Sequence, residues 1–167
     1  MKFIPSQHIG PDAAAAFVFQ ISKQEVEWLL GVLRFYPQLD SGYHRITQGA
    51  AAEIKAGQEL LEEAMAQKRR EHKLKLEKFF ATPGRFRLEA PDLFRFTLTP
   101  EQMEWLLQVL NDVRVGCWVK LGRPELEPSP PKKLTADEAR TMSALEMSGF
   151  FQMILLGAYE GPGSEPA

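Results

Sequence analysis

Residues 94–110 have the sequence F-R-F-T-L-T-P-E-Q-M-E-W-L-L-Q-V-L, and residues 17–33 have the sequence F-V-F-Q-I-S-K-Q-E-V-E-W-L-L-G-V-L. Eight of the 17 aligned positions are identical, and the two copies lie 77 residues apart. Solenoid repeats recur at roughly 20–50 residues, so this spacing is too long for one. The two copies therefore predict a duplicated half-domain and a pseudo-two-fold architecture.

Each copy changes its hydrophobic period partway along. Residues 17–21 and 94–98 place apolar side chains at every second position, which predicts a strand with one buried face. A capping-box pattern follows in both copies, Ser22-x-x-Glu25 and Thr99-x-x-Gln102, and it predicts a helix start.

Both predicted helices carry a wide apolar stripe. Leucine, valine and methionine recur at i, i+3, i+4 and i+7, and a tryptophan widens the stripe in each copy. Trp28 and Trp105 are either core residues or aromatic contacts for a ligand; because they hold matched positions inside these stripes, we predict that both are core residues.

The remaining segments complete the layout. In chain order they are a helix over about 45–80, a strand over 85–88 that pairs with 93–98, a Pro-rich connector at 125–133, a capped helix from Thr135 to about Tyr159, and a flexible tail at 161–167. The sequence thus predicts a helix-rich α+β fold with a small antiparallel sheet, in which the duplicated strands pair across the pseudo-two-fold axis. It predicts one domain, 1–160, made of related halves at about 1–84 and 85–160.

The composition is that of an ordinary globular protein. Net charge is −2, with 44% hydrophobic and 25% charged residues, so the charge balance does not favour nucleic acid or an anionic membrane. The single Cys117 fits a reducing compartment. The first residues lack the apolar core of a signal peptide, and the longest apolar stretch is too short to span a bilayer. We therefore expect a cytoplasmic protein with no membrane segment.

The sequence carries no recognisable catalytic or metal-binding motif. The three histidines have no metal-ligand spacing, and H-E-x-x-H, C-x-x-C and glycine-rich phosphate loops do not occur. The apolar neighbours of Cys117 favour a buried thiol over a nucleophile. We accordingly predict no enzyme activity, no cofactor and no metal.

Polar residues mark the place where the two copies diverge. The second copy has Asn111, Asp112 and Arg114 there, where the first has Arg34-Phe35-Tyr36-Pro37. Together with Arg95, on the predicted solvent face of its strand, these residues form a candidate partner-binding surface. A local Asp–Arg pair, worth under about 1 kcal/mol when exposed, is the alternative.

A basic run lies in the second half of the long predicted helix. It includes Lys68, Arg69, Arg70 and Lys73, which are candidate phosphate contacts. Acidic residues interrupt the run, and Glu–Lys pairs along it favour a solvated helix face. Nucleic-acid binding is therefore disfavoured and is kept as the alternative function.

The segment from Glu104 to Arg114, E-W-L-L-Q-V-L-N-D-V-R, is followed by Gly116 and by Leu121-Gly122. It resembles the W-L…L-N-D-x-R stretch of an uncharacterised bacterial domain family best represented in actinobacteria. The resemblance covers about residues 94–122. It implies a small cytoplasmic regulatory or accessory protein and supplies no catalytic residues.

Abundant apolar helix surface without a catalytic motif favours a non-enzymatic interaction protein. We predict a regulatory or accessory role with a protein partner or a second copy of the chain, in which case the protein forms a homodimer. The final helix and the surface around Arg95, Asn111, Asp112 and Arg114 are the predicted contact region.

Overall fold

The computed structural model describes residues 1–5, 16–38, 52–122 and 133–160, except for the side chains of 52–56 and 160. Its elements, in chain order, are β1 (Lys2–Ile4), β2 (Phe17–Ser22), α1 (Lys23–Leu33), α2 (Ala52–Ala81), β3 (Arg87–Ala90), β4 (Leu93–Leu98), α3 (Pro100–Lys120) and α4 (Ala136–Glu160). The predicted helix-rich α+β class is confirmed.

The four strands form one antiparallel sheet in the order β1-β2-β4-β3. The predicted hairpin forms, with its first strand at Arg87–Ala90. The repeated strands β2 and β4 are neighbours, and Phe19 lies opposite Phe96, its match in the repeat. Such a register suits a pseudo-two-fold axis between the strands, although the duplication itself stays a prediction. The three-residue β1 was not predicted, since so short a segment carries little periodic signal.

The sheet has one buried and one solvent-facing side, as the alternation predicted. Phe19, Ile21, Phe96 and Leu98 are at most 1% exposed and pack against the helices. Arg95 and Thr97, on the opposite side of β4, are exposed. The molecule therefore has two layers, with the helices packed on one face of the sheet.

All three predicted capping boxes form. The side-chain hydroxyls of Ser22, Thr99 and Thr135 each accept a hydrogen bond from the backbone N–H three residues later. In return, the side chains of Glu25, Gln102 and Glu138 accept hydrogen bonds from the backbone N–H groups of these three cap residues. These bonds satisfy N–H groups that the first helical turn leaves free. The caps fix the starts of α1, α3 and α4.

Helices α3 and α4 form the centre of the helical layer. The apolar stripe of α3 and the inner face of α4 contribute side chains that are at most 1% exposed, among them Met103, Val109, Phe151 and Leu155. None of the described helices is long and apolar enough to cross a bilayer.

Helix α2 packs through its last turns, where Leu76 and Phe79 are buried. The prediction placed its start near residue 45, and residues 45–51 lie outside the described residues. The Pro-rich connector, apart from Lys133, and the tail at 161–167 also lie outside them.

Gly116 lies in α3 against the chain that leaves α1. A Cβ atom there would come within 2.9 Å of the backbone carbonyl carbon of Gln38 and still closer to its Cβ. We therefore expect Gly116→Ala to lower the free energy of unfolding by about 1–3 kcal/mol, because the added methyl group overpacks this contact.

Gly31 of α1 is the matched control, since no described atom lies within 4 Å of a Cβ built there. Alanine is the better helix former by about 0.5–1 kcal/mol, so Gly31→Ala should stabilise the protein by a similar amount. Urea unfolding followed by circular dichroism measures both variants. Effects of the same sign would contradict the assigned packing.

Candidate interaction surfaces

Asp112 lies where α2, α3 and the end of α1 meet. One carboxylate oxygen accepts a hydrogen bond from the backbone N–H of Gln38 at 2.9 Å, and the other is 3.4 Å from Nε of Arg69. The Arg69 and Asp112 side chains are only 11% and 13% exposed. Burial, with a further contribution from the Asp112 charge, raises the pKa of the adjacent Tyr36 to about 12. This geometry indicates that Asp112 stabilises the fold by linking α3 to Arg69 of α2 and to Gln38, which follows α1.

The other residues of the predicted partner surface lie apart from Asp112. Nη1 of Arg114 donates a hydrogen bond to Oε1 of Gln152 on α4 at 3.2 Å, and Asn111 is exposed. Arg95 lies on the outer face of the sheet and forms an ion pair with Glu89. The structure therefore does not bring these four residues together into one site.

The basic run on α2 is divided between the interior and the solvent. Arg69 points inward to Asp112, whereas Lys68, Arg70 and Lys73 are exposed. Arg69 lies three residues before His72, which is followed at helical spacing by Leu76 and Phe79. That spacing is a signal from which its inward orientation could have been predicted.

Trp105 is covered by α2. The rings of Phe79 and His72 meet it edge-on, with centroid distances of 5.7 Å and 6.4 Å, and Trp105 is 6% exposed. Burial lowers the pKa of His72, with additional lowering from Lys68 and Lys75, which favours a neutral imidazole beside the indole. The predicted core position of Trp105 is confirmed.

Trp28 has a different environment, and the prediction that it is a core residue is wrong. It is 42% exposed. Helix α4 lies beside it and contributes the small side chains of Ala139, Ser143 and Ala144 together with Arg140 and Met147. No aromatic ring is among them, whereas Phe79 and His72 of α2 cover Trp105 with theirs.

An apolar groove of about 420 Å³ results between α1 and α4. We call it the Trp28 groove; its principal lining residues are Trp28, Gly31, Phe35, Ala144 and Met147, and the charged residues Glu27 and Arg140 also border it. Sequence reasoning missed this groove. The one local feature of the sequence that could have indicated the groove is Gly31. It leaves space beside Trp28 at the position where the second copy has Gln108.

Comparisons of the chain with protein-family models, curated proteins and solved structures found no match. The resemblance of residues 94–122 to an actinobacterial family stays a prediction. Within the described parts of the chain, no three His, Cys, Asp or Glu side chains come together as metal ligands would.

Proposed function

We propose that this protein is a non-enzymatic, cytoplasmic interaction protein of the regulatory or accessory kind, and that it binds another protein chain through the Trp28 groove. The observation that carries the proposal is the contrast between two tryptophans at matched positions. Trp105 is buried by a helix of its own chain, whereas Trp28 is 42% exposed in an apolar groove. Support for a cytoplasmic location comes from the single cysteine, Cys117.

The chemistry of the Trp28 groove suits protein recognition. Tryptophan is enriched among interface residues whose truncation weakens binding by about 2 kcal/mol or more, because it buries a large apolar area at a small entropic cost. Around Trp28 the lining is mostly apolar, and the charged groups of Glu27 and Arg140 lie beside it. A hydrophobic centre with charged neighbours is the usual organisation of a protein interface.

The nucleic-acid alternative is left with fewer candidate contacts. It depended on Lys68, Arg69, Arg70 and Lys73, and the guanidinium of Arg69 is held against Asp112. The other three side chains are exposed, which is equally expected of a solvated helix face. No observation favours nucleic acid over a protein partner, so we do not propose it.

Gly31→Arg tests the proposed function without removing any side chain from the fold. No described atom lies within 4 Å of a Cβ at Gly31, so an arginine can extend into the Trp28 groove. We expect this variant to keep the parent stability and to lose its protein partner. Affinity purification from the source cells with quantitative mass spectrometry compares the parent, Gly31→Arg and Gly157→Arg.

Gly157 of α4 is the control, since it too has no described atom within 4 Å of a Cβ and lies outside the Trp28 groove. A protein, including the chain itself, that is retained by the parent and by Gly157→Arg but lost by Gly31→Arg supports the proposal. If all three baits retain the same proteins, or none retains any, the Trp28 groove is not the binding site.

A further inference from the structure

We infer that the Trp28 groove binds α2 of a second copy of this chain, so that two copies form a reciprocal homodimer. This inference rests on the proposed function and names the partner. Two features of α2 carry it: the apolar side chains that continue along the face by which it packs, and the order of charges around them.

The packing face of α2 continues toward the start of the helix. Arg69, Leu76 and Phe79 on this face contact the body of the chain, and Leu61 and Met65 continue it at helical spacing. Leu61 is nevertheless 43% exposed, and the adjacent Leu60 is 68% exposed. We call residues 57–68 the α2 arm. An exposed apolar stripe on a helix is suited to lie in an apolar groove.

The chain itself shows that this helix can cover such a tryptophan. In the second repeat, Phe79 of α2 covers Trp105, and the sequence around Trp28 is the same E-W-L-L-x-V-L. On α1 the groove extends from Glu27 to Val32, about 8 Å at 1.5 Å per residue, and it continues to Phe35 just beyond the helix. The α2 arm from Leu61 to Lys68 covers a similar length, about 10 Å by the same rise.

The charges of the α2 arm complement those beside the groove. Glu59 precedes its apolar residues, Glu62 and Glu63 lie between Leu61 and Met65, and Lys68 follows them. The groove is bordered by Arg140 on α4 and Glu27 on α1. A bound arm can therefore place acidic groups near Arg140 and Lys68 near Glu27. In a two-fold dimer each copy supplies one arm and one groove, so the two contacts close the assembly.

Cysteine cross-linking between two variants tests this arrangement directly. Leu61→Cys puts a thiol on the apolar stripe of the α2 arm, and Ser143→Cys puts one beside the groove. Both positions are exposed, whereas native Cys117 is 0% exposed. When the two variants are mixed and oxidised, we expect a disulfide-linked dimer on a non-reducing gel. Leu74→Cys, on the opposite side of α2 and 56% exposed, should cross-link to Ser143→Cys at least tenfold less.

Light scattering after size exclusion supplies the second measurement. We expect the parent and Gly157→Arg to be dimers, and Gly31→Arg to weaken the dimer at least about tenfold. A parent that stays monomeric at high concentration overturns the inference, as does a dimer that Gly31→Arg leaves intact or cross-linking that is equal from Leu61→Cys and Leu74→Cys. If a different protein is still lost from Gly31→Arg in the purification, the proposed function survives that failure.

Discussion

Trp105→Ala should lower the free energy of unfolding by about 3–5 kcal/mol, which is the usual effect of truncating a buried aromatic side chain. Trp105 is 6% exposed and packs against the rings of Phe79 and His72. The substitution leaves a cavity between α2 and α3 and removes the contacts that hold the end of α2 on the body. Trp28→Ala should cost no more than about 1 kcal/mol, because Trp28 is 42% exposed and its removal enlarges an open groove.

Denaturant unfolding at protein concentrations low enough for the inferred dimer to dissociate, followed by far-ultraviolet circular dichroism, measures both changes. Trp105→Phe is the conservative control. It keeps an aromatic ring and removes an Nε1–H that is buried with no hydrogen-bond partner among the described residues. It should therefore lose clearly less stability than the alanine variant. Equal losses from Trp28→Ala and Trp105→Ala would show that the two environments are alike, contrary to the structure.

The two tryptophans also show what the sequence can and cannot predict. The strand, the cap and the amphipathic helix of each copy follow from neighbouring residues, and all of them form where the pattern placed them. Burial of the tryptophan depends instead on the helix that arrives from elsewhere in the chain. The segment E-W-L-L-x-V-L is the same around Trp28 and Trp105, so no local pattern distinguishes the covered indole from the exposed one.

The candidate sites have the same limitation. Asn111, Asp112 and Arg114 are close in sequence, but Asn111 is exposed, Asp112 contacts Arg69 and Arg114 contacts Gln152, because adjacent helical positions lie about 100° apart. The partner of Asp112 is Arg69, in a run of charges that was predicted to face solvent. The Trp28 groove combines α1 with α4, and no short-range signal pairs two helices that are so distant in sequence.

Asp112→Ala should destabilise the protein by about 3 kcal/mol, near the lower end for removing one partner of a buried ion pair. The change leaves the mostly buried Arg69 guanidinium without its carboxylate and removes the acceptor of the Gln38 N–H. Arg69 already has a buried Nη2 that lacks a hydrogen-bond partner among the described residues. Removing the Asp112 carboxylate would therefore leave the guanidinium with still fewer polar contacts. Arg70→Ala, at an exposed neighbouring position, should change stability by less than about 0.5 kcal/mol.

A double-mutant cycle separates the ion pair from the hydrogen bond. Arg69→Ala and Asp112→Ala together should destabilise less than the sum of the single variants, by a coupling energy of about 1–3 kcal/mol. Asp112→Asn keeps an acceptor for Gln38 and loses the charge, so it should fall between the parent and Asp112→Ala. Additive single effects would mean that Arg69 and Asp112 do not stabilise each other. An unchanged stability in Asp112→Ala would instead favour the partner-binding role predicted for Asp112 from the sequence.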